Sequence, residues 1–319
     1  MRTRVLGRTG IEVSEIGYGA WGIGGKMWLG GDDDESSRAL RRAFELGLNF
    51  IDTALVYGDG HSERLVGELA PASVSIATKV PPKNFLWPAR PGIGIADVFP
   101  YEHIMRSTEQ SLRNLRRDSI DLQQLHVWNS EWINDDDWRR AFEDLKKSGK
   151  ARFVGVSIND HQPDSAIELI KTGLIDTVQV IYNIFDQSPE AKLFPLAREL
   201  NIGVLARVPL DEGALTGTID VTTTFPEGDF RGRYFRGDRK KEVVEHVTAL
   251  QRDLDGVNGS LAQIALRFCL SNLAVSTVIP GMRTVRNVES NVAASDAGPL
   301  PLDVQAILKK HAWEKNFYS

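Results

Sequence analysis

Cysteine is almost absent from this chain of 319 residues: Cys269 stands alone. That excludes an internal disulfide and any metal centre built on several thiolates, and it suits a reducing compartment. The setting of that residue, IALRFCL, reads as a buried structural thiol. A surplus of positive charge is missing too. With 38 lysines and arginines against 43 aspartates and glutamates the formal charge is -5, and no basic stripe runs along either half, so nucleic acid is not an expected partner. No window approaches the roughly eighteen apolar residues of a membrane span, and the opening MRTRVLGRTG has neither a long apolar core nor a small-residue cleavage site. The expectation is a soluble, cytoplasmic protein with no membrane partner. His61, His103, His126 and His161 show no paired spacing such as HxH or HExxH, which disfavours a metal-dependent hydrolase and predicts no metal.

What is present is a repeated alternation of strand and helix patterns. Residues 4–6 and 11–13 flank a Gly-Arg-Thr-Gly turn, which predicts a hairpin within 1–15, placed to plug one end of a barrel. Strand patterns follow at 16–18, 49–52, 75–79, 120–126, 152–157, 177–183, 202–207 and 274–281. Helical spacing separates them: Leu40, Ala43 and Phe44, after the acidic 32–35 and before Gly47, mark the first helix, and others follow at 61–69, 102–116, 137–147, 164–171, 189–200, 239–254, 260–271 and 284–293, with a last helix at 304–313 inside a C-terminal segment 301–319. Two stretches resist both patterns. Residues 80–100 are too rich in proline and glycine for a helix, and 208–238 is irregular, so long loops are predicted after the third and seventh strands. Eight such units without a composition break predict one α/β domain over 1–319, a (β/α)8 barrel. An open doubly wound sheet fits less well, because its dinucleotide fingerprint, a glycine-rich turn with an acid about twenty residues on, is not found after the first strand.

The stretch 49–69, NFIDTALVYGDGHSERLVGEL, places Asp52 and Tyr57 where a strand stops and a helix starts. The plain alternative is a capping Asp and a packing Tyr. In a barrel, though, the carboxyl ends of the strands form the mouth where chemistry is done, and Lys79 and His126 end the next two strands. A phenol near pKa 10 exchanges its proton poorly at neutral pH unless a cation favours phenolate. Lys79 can be that cation, Asp52 can keep it charged, and a neutral His126 can donate to a carbonyl oxygen.

On these residues, and on SIATK, DLQQLH, GVS, VQVIYN and IPGMRTVRNVESN, the chain resembles the aldo-keto reductases over nearly its whole length. The resemblance implies reduction of an aldehyde, ketone or keto-sugar by hydride from a nicotinamide, with Tyr57 as general acid, Lys79 and Asp52 tuning it, and His126 orienting the substrate. It implies cofactor contacts from Gly19, Ala20 and Trp21, from Ser157 and Gln179 at the carboxamide, and from the 209–215 loop (Pro209, Leu210, Gly213, Leu215) along the pyrophosphate. At the adenosine end it implies Gly281, Arg283, Asn287 and Asn291. Arg283 matches positions that hold the 2'-phosphate in the family, which predicts NADPH; the plain alternative is a surface Arg in a capping turn. Some related barrels are channel-associated subunits, so a cofactor-sensing protein with little turnover is the competing function.

Two departures carry expectations of their own. Ile158 follows the GVS serine where the family commonly has Asn, putting Asn159 one place late. Arg207 stands where the family often stacks an aromatic ring on the nicotinamide; there it would favour reduced over oxidised cofactor, or else turn away to a phosphate. Trp21, Trp28, Trp87 and Trp128 are expected on mouth loops as substrate walls, with lid packing the alternative. Trp132 and Trp138 read as packing near the fourth helix.

Overall fold

Two short strands, β1 (Thr3–Val5) and β2 (Glu12–Ser14), pair antiparallel at the start of the computed structural model, which describes residues 1–318. The turn between them is one turn of 3-10 helix, Gly7–Thr9. Leu6 and Val13 are fully buried and pack against Phe50, Ala77, Leu122 and Leu205 from four different barrel strands, so the hairpin closes the amino-terminal end as anticipated. The fit is close: a Cβ on Gly7, whose φ is 50°, would lie 2.2 Å from the Gly203 nitrogen.

The barrel strands are β3 (Tyr18–Gly19), β4 (Phe50–Asp52), β5 (Ser75–Val80), β6 (Ile120–Leu125), β7 (Ala151–Ser157), β8 (Thr177–Ile181), β9 (Gly203–Arg207) and β10 (Thr277–Val278). All pair in parallel with their sequence neighbours, and parallel bridges from Ile16 to Val278 and Gly19 to Gly281 close the ring. The eighth strand is far shorter than the 274–281 pattern suggested. Pro280 has no N–H to give the ladder, and beyond Val278 only single bonds persist, such as Gly19 N–H to the Pro280 carbonyl at 3.0 Å.

Helices fill the outer layer. Asp32 caps the first, Asp33–Glu45, by accepting from the Glu35 amide at 2.7 Å, and Gly47 ends its exit turn at φ 85°. Thr284 caps Val285–Asp296 as the sequence indicated. The 189–200 pattern splits into a 3-10 turn, Ser188–Glu190, and a helix, Leu193–Glu199, because Pro195 cannot donate within one continuous helix. The last helix runs Leu302–Lys309 and leaves Trp313 in an extended tail. Both long loops carry structure that was not expected: helix Ile95–Val98 in the first, and a 3-10 turn Asp211–Thr216 and helix Phe230–Tyr234 in the second. Among the described residues no helix is long and apolar enough to cross a membrane. Cys269 is fully buried with its thiol on the Tyr182 carbonyl at 3.2 Å.

Candidate active site

Because all eight barrel strands run the same way, their carboxyl ends share one mouth. Asp52 is the last residue of β4, Lys79 the penultimate residue of β5, and His126 lies one residue beyond β6. Tyr57 sits on the loop after β4, where the chain bends back through Gly58 at φ 64°. A side chain there would drive its Cβ to 2.0 Å from the Gly24 carbonyl oxygen, so the sharp return that aims Tyr57 inward requires glycine.

The four side chains meet. Lys79 is fully buried, and its ammonium donates to Asp52 Oδ2 at 2.5 Å, to the Thr53 carbonyl at 2.8 Å and to the Tyr57 hydroxyl at 3.4 Å. Three donors thus face three acceptors, which fixes the ammonium's direction. Asp52 Oδ1 accepts from Gln179 at 2.7 Å and from Gln124 at 3.4 Å. Gln124 pairs in register with Lys79, so strand alternation already places both on the inner face. The His126 ring lies edge-on to Tyr57, centroids 5.7 Å apart.

Burial and charge set the protonation states. Lys79 loses solvation, but Asp52 and Tyr57 outweigh that loss and hold its pKa above the ordinary value, so it stays an ammonium. Burial, helped by the Lys79 and Arg207 charges, pushes His126 well below the imidazole range and keeps it neutral. Tyr57 corrects the expectation drawn from its neighbour. Burial raises its pKa, and the lowering by Lys79 does not overcome this. Tyr57 is therefore a proton donor across the whole neutral range. Reduction should hold steady through neutral pH and decline only in strongly alkaline solution, as Tyr57 deprotonates above the ordinary phenol value. A rate–pH profile at saturating substrates that falls near neutrality would contradict this assignment.

The walls are aromatic. Trp21 packs on Trp28 at 5.4 Å and Phe230 at 5.1 Å, and lies 6.3 Å from Tyr57. On the other side Trp87 meets His126 at 5.8 Å, with Phe85 beside it. Trp128 does not line the opening: it is fully buried, edge-on to Trp132 and Trp138, and so belongs to packing behind the mouth.

Other anticipated contacts divide in the same way. Ser157 ends β7 and Gln179 lies on β8, both buried at the inner end of the site, although the Gln179 amide nitrogen is already given to Asp52. Ala20 is fully buried, its N–H on the Asp52 carbonyl and its own carbonyl taken by Ser62, so it shapes the loop and has nothing left for a ligand. Leu215 is likewise buried, with its N–H on Leu210. Pro209 is buried, and Leu210 and Gly213 are partly exposed along the same turn. Asn159 is tied to Ala89 in both directions at 3.1 Å, so its side-chain amide is engaged with the long first loop.

Arg207 is held in an ion pair at the end of β9. Its guanidinium donates to Asp160 at 2.7 Å and to the Ile158 carbonyl at 3.0 Å. Asp160 offsets part of its charge, which weakens the electrostatic reason for preferring reduced cofactor. At the far rim Gly281 and Asn287 are exposed, Asn291 is buried with its amide on the Gly281 carbonyl at 3.5 Å, and Arg283 is half-buried with one nitrogen on the Leu29 carbonyl at 2.7 Å. No carboxylate among the described residues comes within ion-pair distance of Arg283, and burial and the nearby Arg231 charge lower its pKa. Gln124, Asp160, Phe85 and Phe230 are site neighbours the sequence did not single out. Only Gln124, two residues before His126 on one strand, carried a local signal.

The aldo/keto reductase family model matches residues 15–312. An aldo-keto reductase of Bacillus subtilis is 31% identical over 294 residues, covering 88% of this chain and 85% of its own. A glycerol dehydrogenase of solved structure from Gluconobacter oxydans is 30% identical, with a TM-score of 0.78 over 98% of this chain and 97% of its own. An NADH-specific methylglyoxal reductase from Escherichia coli is 29% identical over 312 residues, covering 92% of this chain and 93% of its own.

Proposed function

This chain belongs to the aldo/keto reductase family, and we propose that it reduces a small aldehyde, ketone or keto-sugar with NADPH, residues 1–319 acting as one unit in the cytoplasm. The carrying observation is the Lys79 ammonium saturated by Asp52, Thr53 and Tyr57. A bound reduced nicotinamide supplies the hydride. The protein's part is the proton: Tyr57 delivers it to the carbonyl oxygen, and Lys79 stabilises the phenolate left behind. Neutral His126 donates to the same oxygen and holds it beside the phenol. Trp21, Trp28 and Trp87 close the sides and exclude water. An intact proton donor with its cation is what favours turnover over cofactor sensing alone. The test is steady loss of nicotinamide absorbance with simple aldehydes; cofactor binding without any turnover would leave the sensing role.

One relative is named as NADH-specific, so the choice of NADPH rests on this chain's own residues. Arg283 is a partly buried cation with no carboxylate partner among the described residues, beside the N-terminus of Val285–Asp296, and such a charge calls for an anion. Ser157 and Gln179 would face the carboxamide, Gly19 and Trp21 the nicotinamide edge, the turn through Leu210 and Gly213 the pyrophosphate, and Asn287 and Asn291 the adenosine. Arg283→Ala should weaken NADPH binding by about ten- to a hundredfold, the worth of a charge-assisted contact, and leave NADH nearly untouched. Equal losses for both dinucleotides in a fluorescence titration would overturn the 2'-phosphate assignment.

A further inference from the structure

The tail beyond Lys309 crosses back over the mouth and ends on the loop that follows β9. The Trp313 backbone N–H donates to the Phe185 carbonyl at 2.9 Å, and its ring stacks on His246, centroids 3.8 Å apart. Further on, the Phe317 carbonyl accepts from Arg239 at 2.7 Å, and the Tyr318 ring packs on His161, Phe230 and Tyr234. These contacts deliver two polar groups to one spot. Lys315 donates to both oxygens of Asp211 at 2.8 Å, and the Tyr318 hydroxyl donates to Glu212 at 2.6 Å.

The turn they reach is unusual in two respects. Asp211, Glu212 and Gly213 run consecutively through left-handed backbone, at φ 49°, 55° and 105°, a conformation that acidic residues hold only when their surroundings impose it. The two acids are also almost wholly buried. Burial, with the neighbouring Asp211 and Asp160 charges, pushes the Glu212 carboxyl up to about 7 against the pull of the Tyr318 hydrogen bond. Bare carboxylates in this position would repel a dinucleotide's pyrophosphate.

We propose that Lys315 and Tyr318 are positioning residues for cofactor binding: Lys315 neutralises Asp211, the Tyr318 hydroxyl holds the Glu212 carboxyl by a hydrogen bond, and together they keep the turn in shape from the opposite end of the chain. The proposal rests on the reading that this turn passes along the pyrophosphate. Lys315 acts through Asp211, and Tyr318 through Glu212, so neither need touch the cofactor.

The test is a fluorescence titration of the full chain with NADPH, alongside kinetics resolved for each substrate. Lys315→Met should raise the cofactor Kd by about tenfold or more, as expected for stranding one charge of a buried pair, and carbonyl KM should move far less. Lys315→Arg should retain most of the affinity. Asp211→Asn combined with Lys315→Met should recover much of it, because no stranded charge remains, and this pair keeps the idea testable if the single variant folds poorly. An unchanged Kd in Lys315→Met, or no recovery in the double variant, would overturn the neutralising role. Gly213→Val, which strains the turn itself, separates the two levels. If it weakens binding while Lys315→Met does not, the tail proposal alone fails; if neither weakens binding, the turn does not meet the pyrophosphate.

Discussion

Tyr57→Phe is expected to lower the rate of carbonyl reduction by about two to four orders of magnitude, the usual worth of a positioned general acid. The substitution removes one oxygen and keeps the ring that packs beside Trp21 and His126, so the pocket retains its shape. Cofactor affinity should therefore change little, and the loss should appear in kcat. Lys79 loses the weakest of its three acceptors and keeps Asp52 and Thr53, so the fold should survive. Any residual rate should lose the alkaline decline assigned to Tyr57. A variant retaining more than about a tenth of the turnover would mean that another group, or water, delivers the proton.

Lys79→Met should damage both chemistry and stability. It strands the Asp52 carboxylate in a buried site where only the amides of Gln179 and Gln124 remain to it. Breaking a buried pair from one side costs about 3–5 kcal/mol, a large part of a domain's stability, and should show as a clear drop in thermal midpoint. Adding Asp52→Asn removes the stranded charge and should restore much of the midpoint. It should not restore turnover, because no cation is left in contact with the Tyr57 hydroxyl to stabilise its phenolate. If the double variant recovers activity together with stability, Lys79 serves the fold and not the reaction.

The positions of Asp52, Lys79 and His126 were legible because a parallel barrel turns strand endings into a shared location. Once the strand patterns were recognised, convergence needed no knowledge of packing. What each residue meets there was less legible. Arg207 occupies the expected strand end, but its partner Asp160 lies on another loop, and no local spacing announces an ion pair between them. Trp128 illustrates the complementary limit: a loop tryptophan two residues from His126 can face the opening or the helices, and only the bulk of Trp132 and Trp138 beside it decides. For Tyr57 the direction itself is reversed, since the pull of Lys79 is evident from sequence but the loss of solvent around the phenol, which outweighs it, is not. The tail is the extreme case. Lys315 and Asp211 are joined across 104 positions of chain, and nothing in either segment points to the other.

Asn159 leads to a practical consequence. Its side-chain amide bonds both backbone groups of Ala89, like one rung of a ladder, and marks where the long first loop becomes fastened, since Asn129, Glu131 and Trp132 then hold Arg90, Gly92 and Ile93. The stretch before that rivet carries Phe85 and Trp87, both well exposed, whereas the stretch after it folds into helix Ile95–Val98 and packs down. The exposed half is thus a replaceable cassette: new residues between Lys83 and Trp87 can reshape what the mouth admits without loosening the wall behind it. Selectivity in this scaffold can then be altered by exchanging one short peptide, with the proton donor and its cation left undisturbed.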